Sequence, residues 1–175
     1  MESEARIVTD SSCDLPPESL RELGIEVVPL TVTFGTEEYC DGEISMDEFW
    51  AKAAGPNPPR TSQPSLGAFV SVFERLVTEG RRVLCVTITG KHSGTFNAAR
   101  LAADGFGEKV HVFDSLSTSL GLGYQVVQAA VAARAGEVDR HHGPDVRARA
   151  GTRVRDVELQ RVGVDLAEHR RQAGG

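Results

Sequence analysis

A nearly continuous apolar run at positions 83–88, Val-Leu-Cys-Val-Thr-Ile, limits most strongly what this chain can fold into. A short run with apolar residues on both faces is typical of a central strand in a parallel sheet. Parallel strands require long crossover connections, which are usually helices. The run therefore predicts an α/β fold in which helices cover the sheet.

Strand-like and helical patterns alternate up to about residue 135. Strands are predicted at 6–9, 25–30, 31–34, 83–88 and 110–113. Helices are predicted at 15–24, from 45, around 69–77, from 94, and at 119–135. Gly24 suits a C-terminal cap of the first helix, and Ser45 with Glu48 forms a capping box at the start of the second. This alternation indicates a mostly parallel sheet.

Composition argues against several classes of function. The net charge of −6 gives no general attraction to nucleic acid or to anionic membranes. No stretch approaches the roughly 18 apolar residues of a membrane span, and the acidic N-terminus lacks the apolar core of a signal peptide. Cys13, Cys40 and Cys85 form no CxxC pair, and no HExxH spacing occurs. These features predict a reduced cytoplasmic protein without a metal, cofactor, nucleic acid or membrane insertion.

The last forty positions differ from the rest of the chain in composition and in hydrophobic periodicity. Residues 136–175 are rich in arginine, alanine and glycine and contain no lysine, isoleucine or aromatic residue. Neither helical nor strand periodicity persists there, which is typical of a solvated or disordered tail. A shifted reading frame in a GC-rich gene is the alternative explanation. We therefore expect an α/β domain over 4–135 followed by an irregular tail over 136–175.

Three polar loops follow predicted strands, at positions 10–12, 89–95 and 114–115. In open α/β sheets, ligands bind beyond the carboxyl ends of the strands. In the second loop, Ser93, Gly94 and Thr95 place two hydroxyls and free backbone N–H groups at the start of a helix. Such an arrangement binds a carboxylate or phosphate oxygen. The alternative is ordinary capping of that helix by Ser93 or Thr95.

A second pair of hydroxyls, Thr61 and Ser62, lies within a segment at 57–64 that contains three prolines. The prolines exclude a helix and predict a loop. The two hydroxyls are placed either to donate hydrogen bonds to a ligand or to cap the helix that follows.

The other reactive residue types give weaker hypotheses. Asp10 and Asp14 offer oxygen ligands for Mg²⁺, but a turn with capping side chains explains them better. Cys13 has acidic neighbours, which disfavour its thiolate, and no identifiable base. His92 lies within the second loop and could assist there, although a lone histidine is more often structural. No catalytic residue is therefore assigned.

Seven short blocks, in order and in register over about residues 5–135, resemble the DegV family of fatty-acid-binding proteins. The blocks are Ile7-Val8-Thr9-Asp10-Ser11-Ser12, Asp14-Leu15-Pro16, Val27-Val28-Pro29-Leu30, Tyr39-Cys40-Asp41-Gly42, Thr61-Ser62-Gln63-Pro64-Ser65, Ser93-Gly94-Thr95-Phe96, and Asp114-Ser115 with Ser119-Leu120-Gly121-Leu122-Gly123. The resemblance implies a three-layer α/β lobe, the N-terminal half of a two-lobed protein. Nothing after Gly136 resembles the second lobe.

The resemblance also implies a function. Such proteins hold one long-chain fatty acid with its carboxylate buried between the lobes, and present the acyl chain to a fatty acid kinase subunit. The implied carboxylate ligands are Thr61 or Ser62, Ser93, Gly94 through its backbone, and Thr95, with a possible rim of Ser11, His92 and Ser115. His92 departs from the family, which usually has a small or apolar residue there.

Two alternatives to a fatty-acid carrier remain open from the sequence. The chain could be an inactive truncated fragment, since the second lobe is missing. It also shows a distant similarity to the substrate domain of dihydroxyacetone kinases, which are phosphotransfer enzymes. That activity would require a histidine that captures the ketone covalently, with His92 as the only loop candidate, and a nucleotide site that is not visible.

Overall fold

The computed structural model describes residues 5–136, so the predicted irregular tail lies outside the described residues from position 137 onward. The strands are β1 (Ala5–Asp10), β2 (Ile25–Val28), β3 (Thr31–Phe34), β4 (Glu37–Cys40), β5 (Arg60–Ser62), β6 (Arg82–Thr87) and β7 (Val110–Asp114). The α-helices are α1 (Pro17–Leu23), α2 (Met46–Ala53), α3 (Leu66–Thr78), α4 (Thr95–Ala103) and α5 (Ser119–Arg134). Short 3₁₀ helices span Ser11–Cys13 and Asp104–Lys109.

The larger sheet has four parallel strands in the order β2-β1-β6-β7. Strand β6 carries most of the apolar run at 83–88 and lies between β1 and β7, which confirms the predicted central strand. Its Cys85 is aligned with Val8 on β1 and with Val112 on β7. Residues 83–87 of this strand are all buried, as expected of a strand covered on both faces.

Helices cover both faces of this sheet, which gives the three layers that were expected. The β1–α1–β2 and β6–α4–β7 crossovers run in opposite directions across the sheet. Because such crossovers are right-handed, they place α1 and α4 on opposite faces. Helix α3 lies beside α4, whereas α5 contacts β1 and α1. The core under α3 and α4 contains Val8, Phe69, Phe73, Leu76, Cys85, Ala98 and Ala99.

A separate three-stranded antiparallel sheet has the order β4-β3-β5 and was not predicted. The segment at 57–64 was expected to be a loop, but its central residues form β5, with Thr61 aligned to Val32 on β3. The prolines exclude a helix without excluding this strand, because they flank residues 60–62 and leave their N–H groups intact. Phe34 on β3 packs edge-to-face against Phe49 of α2, with ring centroids 5.6 Å apart.

Helix termini follow the predicted capping chemistry. Ser45 Oγ accepts a hydrogen bond from Glu48 N at 3.2 Å and so caps α2. Helix α3 is capped by Ser65, which accepts from Ala68 N at 3.1 Å, and not by Thr61 or Ser62. Gly24 ends α1 with φ of 65°, a left-handed conformation that glycine adopts without strain. The strand predicted at 25–30 ends earlier, at Val28, because Pro29 cannot continue the pairing.

Gly123 allows α5 to approach the backbone of the first 3₁₀ helix. A Cβ at this position would lie 3.0 Å from Leu15 Cδ2 and closer still to the carbonyl oxygen of Cys13. The carbonyl belongs to the backbone and cannot rotate away, so Gly123→Ala is expected to destabilise the fold by about 2 kcal/mol. Urea denaturation followed by circular dichroism measures this change in the free energy of unfolding.

Gly121→Ala is the matched control in the same helix. The nearest atom to a Cβ there is the hydroxyl oxygen of Ser117, which rotates away easily. Since alanine also favours a helix by about 1 kcal/mol over glycine, the control variant should be no less stable than the wild type. Equal destabilisation by the two substitutions would contradict a specific close contact at Gly123.

The three cysteines differ sharply in accessibility. Cys40 is exposed, whereas Cys13 and Cys85 are 2% and 0% exposed. Burial raises the pKa of both buried thiols, and the thiolate is the reactive form. We therefore expect iodoacetamide at pH 8 to modify Cys40 rapidly and the other two only after unfolding. Peptide mass mapping checks this, and equally fast modification of Cys85 in the folded chain would contradict the packing.

Candidate ligand-binding site

The sheet topology places a crevice at the carboxyl ends of β1 and β6. From β1 the chain crosses outward to β2, and from β6 it crosses in the opposite direction to β7. Such a switch point leaves a crevice at which open α/β folds bind ligands. The three predicted polar loops start at this edge, at the ends of β1, β6 and β7. The arrangement therefore identifies this edge as the candidate binding site.

Asp10 ends β1 and joins it to β6. Its side chain is 0% exposed, and Oδ2 accepts a hydrogen bond from Ile88 N at 2.8 Å. Oδ1 accepts from Ser12 N at 3.1 Å and from the Ser12 hydroxyl. Burial raises the pKa of Asp10, and these hydrogen bonds oppose that rise. The carboxylate thus holds the edge of the sheet together, a structural role.

Ser11 joins the parallel sheet to the smaller one. Its hydroxyl donates to Asp41 Oδ2 at 2.6 Å and accepts from Leu30 N at 3.0 Å. The hydroxyl predicted at the rim of the site is therefore already engaged in two hydrogen bonds within the protein.

The loop after β6 is a tight turn organised by Thr89. The carbonyl oxygen of Thr89 accepts from His92 N and from Ser93 N, both at 3.2 Å. Thr89 N donates to Ser117 O at 3.0 Å, which ties this loop to the loop after β7. His92 is exposed at the turn. The turn leads directly into α4, which begins at Thr95.

The start of α4 carries the arrangement of hydroxyls and backbone N–H groups that the sequence predicts. Ser93 Oγ accepts from Thr95 N at 3.2 Å and lies 2.8 Å from Thr95 Oγ1. The first backbone bond of the helix runs from Ala98 N to Gly94 O at 2.9 Å. Within residues 5–136, the N–H groups of Phe96 and Asn97 consequently have no acceptor. Free N–H groups at the positive end of a helix dipole bind an anionic oxygen.

A buried hydroxyl lies on the same side of the sheet. Thr87 Oγ1, at the carboxyl end of β6, has no hydrogen-bond partner among the described residues, and Thr87 is fully buried. Side chains alternate along a strand, so Thr87 shares the face of Cys85, which is the face that α4 covers. Both the buried hydroxyl and the helix N-terminus therefore offer unused hydrogen-bonding capacity in this region.

Thr61 and Ser62 are exposed on the edge strand β5. Because neighbouring residues of a strand face opposite sides, the two hydroxyls do not share one face. The next residue, Gln63, brings this strand to α4: a Cβ added to Gly94 would lie 2.8 Å from Gln63 Cδ. The two predicted groups of ligand-binding residues are thus adjacent through Gln63 and Gly94.

The loop after β7 is held by its own side chains. Ser115 Oγ donates to Ser117 O and accepts from Ser117 N, both at 3.1 Å. Asp114 accepts from Gly90 N at 3.2 Å and from Leu116 N at 2.9 Å, linking the loops after β6 and β7. Ser115 was predicted at the rim of the site. The residue is only 7% exposed, and its hydrogen bonds support the loop.

Sequence reasoning missed three residues at this edge. Gln63 lies against Gly94, and Leu116 and Leu120 are each 68% exposed beside the polar loops. Large exposed apolar side chains next to polar donors are typical of a site for an amphipathic ligand. Gln63 and Leu120 stand within blocks that resemble the DegV family, but their position beside the polar loops depends on where the fold places them.

Two further properties of the described part of the chain bear on function. Residues 5–136 contain no group of three or more His, Cys, Asp or Glu side chains that could hold a metal ion. In the same range, no helix is both long enough and apolar enough to cross a membrane.

The parallel sheet, its switch point between β1 and β6 and the helices on both faces place the chain in the class of open α/β folds. A family model described as the uncharacterised DegV family matches residues 4–139. The chain belongs to the DegV family.

Comparisons with individual proteins agree with this assignment. The chain is 41% identical over 132 residues to the DegV domain-containing protein YejH of Lactococcus lactis. The aligned region covers 75% of this chain and 48% of that protein. A DegV family protein of Thermus thermophilus, reported for its fatty acid binding, is 35% identical with a TM-score of 0.74, over 86% of this chain and 53% of that one. A stearic-acid-binding protein of Eubacterium ventriosum is 28% identical with a TM-score of 0.70, over 84% and 52%.

The similarity to these relatives extends over only part of their length. The chain spans about half the length of the curated relatives it matches. The family model and the relatives from Lactococcus lactis and Thermus thermophilus carry the DegV name, and the comparisons favour neither the dihydroxyacetone-kinase-like alternative nor that of an inactive fragment.

Proposed function

We propose that this chain binds a long-chain fatty acid and holds its carboxylate at the start of α4. The observation that carries this proposal is that the N–H groups of Phe96 and Asn97, beside the hydroxyls of Ser93 and Thr95, have no acceptor in the described part of the chain. A carboxylate accepts several such bonds at once, and each hydrogen bond to a charged group contributes about 1.5–3 kcal/mol. The fatty acid binding reported for the relatives from Thermus thermophilus and Eubacterium ventriosum supports the proposal.

The remaining carboxylate ligands are proposed to come from the neighbouring segments. Gly94 contributes its backbone at the start of α4, where the Gln63 side chain lies beside it, and one hydroxyl of Thr61 or Ser62 donates from β5. Ser11, His92 and Ser115 stay at the rim, where Ser11 and Ser115 hold the loops in place. The carboxylate then needs neither a metal nor a cofactor, because neutral donors and the helix dipole stabilise its charge.

The acyl chain is proposed to extend from this site over exposed apolar surface. Leu116 and Leu120 provide such surface beside the loops after β6 and β7. Burial of each CH₂ group contributes about 0.8 kcal/mol, so the length of the acyl chain contributes most of the affinity. In the relatives, the half that this chain does not match is the natural source of the remaining enclosure.

We further infer that the lobe at 4–135 serves as a carrier and has no catalytic role of its own. Presentation of the acyl chain to a fatty acid kinase subunit is what the family resemblance implies, whereas a cytoplasmic setting is proposed from the cysteines and the composition. The unpaired Cys13, Cys40 and Cys85 are compatible with a reducing compartment. The kinase step is tested separately, by adding a purified kinase subunit and ATP to the loaded chain and measuring acyl phosphate.

A titration that separates the head group from the acyl chain tests the proposal. Delipidated chain is titrated with palmitate and with methyl palmitate, each displacing a fluorescent fatty acid. Palmitate is expected to bind at least tenfold more tightly, because the ester has lost the charge that the N–H groups stabilise. Equal affinities would contradict the carboxylate site, and absence of displacement by either ligand would contradict lipid binding by this chain.

A further inference from the structure

The side chain of Gln63 occupies the space that a side chain at position 94 would fill. A Cβ on Gly94 would lie 2.8 Å from Gln63 Cδ and 3.3 Å from Nε2, with Oε1 closer still. Gly94 is the residue immediately before α4. The absence of a side chain there therefore permits the Gln63 carboxamide to lie at the first turn of the helix.

The backbone on both sides of Gln63 is held in place. Ser62, before it, is paired with Thr31 on β3. Pro64, after it, is buried, and Ser65 caps α3. The carboxamide is thus directed to α4 by a fixed segment of chain. Gln63 is exposed, and neither polar atom of its carboxamide has a protein hydrogen-bond partner within residues 5–136. A carboxamide that the fold positions and leaves unpaired is available to a ligand.

We propose that Gln63 is a specificity-determining residue that contacts the head group of the bound lipid. This inference rests on the proposed function. It places the Gln63 carboxamide at the carboxylate, with the terminal amide rotated so that Nε2 rather than Oε1 faces the start of α4. The carboxamide is neutral and donates two hydrogen bonds, so it accommodates an anionic head group. A glutamate in its place would have nearly the same shape but would repel a carboxylate.

Two substitutions and two ligands test the role of Gln63. Gln63→Glu and Gln63→Met are compared with the wild type for binding of palmitate and hexadecan-1-ol at pH 7.5. Gln63→Glu is expected to weaken palmitate binding by about tenfold or more and to change hexadecan-1-ol binding by less than about threefold. Gln63→Met, which loses only neutral hydrogen bonds, is expected to weaken palmitate binding by about two- to tenfold. Gln128→Glu adds the same charge on α5 and should leave both affinities unchanged.

The outcomes separate this inference from the proposed function. If the wild type binds palmitate and Gln63→Glu binds it equally well, Gln63 does not contact the head group and the inference is wrong. Parallel losses for palmitate and hexadecan-1-ol would assign Gln63 a structural role only, which also overturns it. If the wild type binds neither ligand, the proposed function itself fails. Thermal unfolding of each variant identifies a folding defect. If Gln63→Glu is unstable, the palmitate affinity of Gln63→Met tests the inference in its place.

Discussion

Ser93→Ala is expected to weaken palmitate binding by about tenfold to a hundredfold. The Ser93 hydroxyl lies 2.8 Å from Thr95 Oγ1 and accepts from Thr95 N, at the point where the carboxylate is proposed to bind. Loss of one hydrogen bond to a charged group costs about 1.5–3 kcal/mol, which corresponds to this change in the dissociation constant. Isothermal titration calorimetry of the delipidated variant and wild type measures the difference.

Ser71→Ala is the matched control for this experiment. Ser71 is exposed on α3, and its hydroxyl donates to Gly67 O at 2.9 Å, away from the loops that follow the strands. The control should bind palmitate as the wild type does, with a similar midpoint of thermal unfolding. If Ser93→Ala and Ser71→Ala bind palmitate equally well, the Ser93 hydroxyl is not a ligand of the carboxylate.

Asp10→Ala is expected to destabilise the fold by about 3 kcal/mol at pH 7. The substitution removes the acceptor of the Ile88 and Ser12 N–H groups, at 2.8 and 3.1 Å, within a buried edge of the sheet. Unpaired buried donors cost about 1–3 kcal/mol each, and relief of the buried charge offsets part of the loss. Urea denaturation measures the change, with Glu74→Ala, an exposed carboxylate on α3, as the control.

The pH dependence gives a second test of the same residue. Because burial raises the pKa of Asp10, the folded state holds this proton more tightly than the unfolded state does. Asp10 therefore contributes stability at low pH that is lost as pH rises from the unfolded pKa, about 3.9, through the folded pKa. Relative to Asp10→Asn, the wild type should lose stability over this window and stay constant above it. A wild type that gains stability relative to Asp10→Asn as pH rises through this window would contradict the assignment.

The sequence allowed prediction of the elements whose patterns are local. The apolar run at 83–88 identified the central strand, and the Ser45 cap and Gly24 marked helix ends that the structure confirms. The smaller sheet was missed because β4 is polar and β5 is only three residues long. Their pairing with β3 is a non-local property that neither segment shows by itself.

The candidate site stays a prediction, and only its local geometry can be compared with the sequence. Ser93, Gly94 and Thr95 were proposed because a strand, a polar loop and a helix follow one another in the sequence, and the structure has that order. That the hydroxyls of Ser11 and Ser115 are engaged within the protein could not be predicted, since Asp41 and Ser117 reach them only in the folded chain. Gln63 was missed because its position against Gly94 arises from tertiary packing.

Native mass spectrometry of the chain purified from bacteria tests most directly whether this chain holds a fatty acid. The folded chain, as purified or after incubation with palmitate, is predicted to carry the added mass of one fatty acid, which is lost on denaturation. The adduct should be strongly reduced in Ser93→Ala. A folded wild-type chain that remains bare after incubation with palmitate would contradict the proposal that this chain binds the ligand on its own.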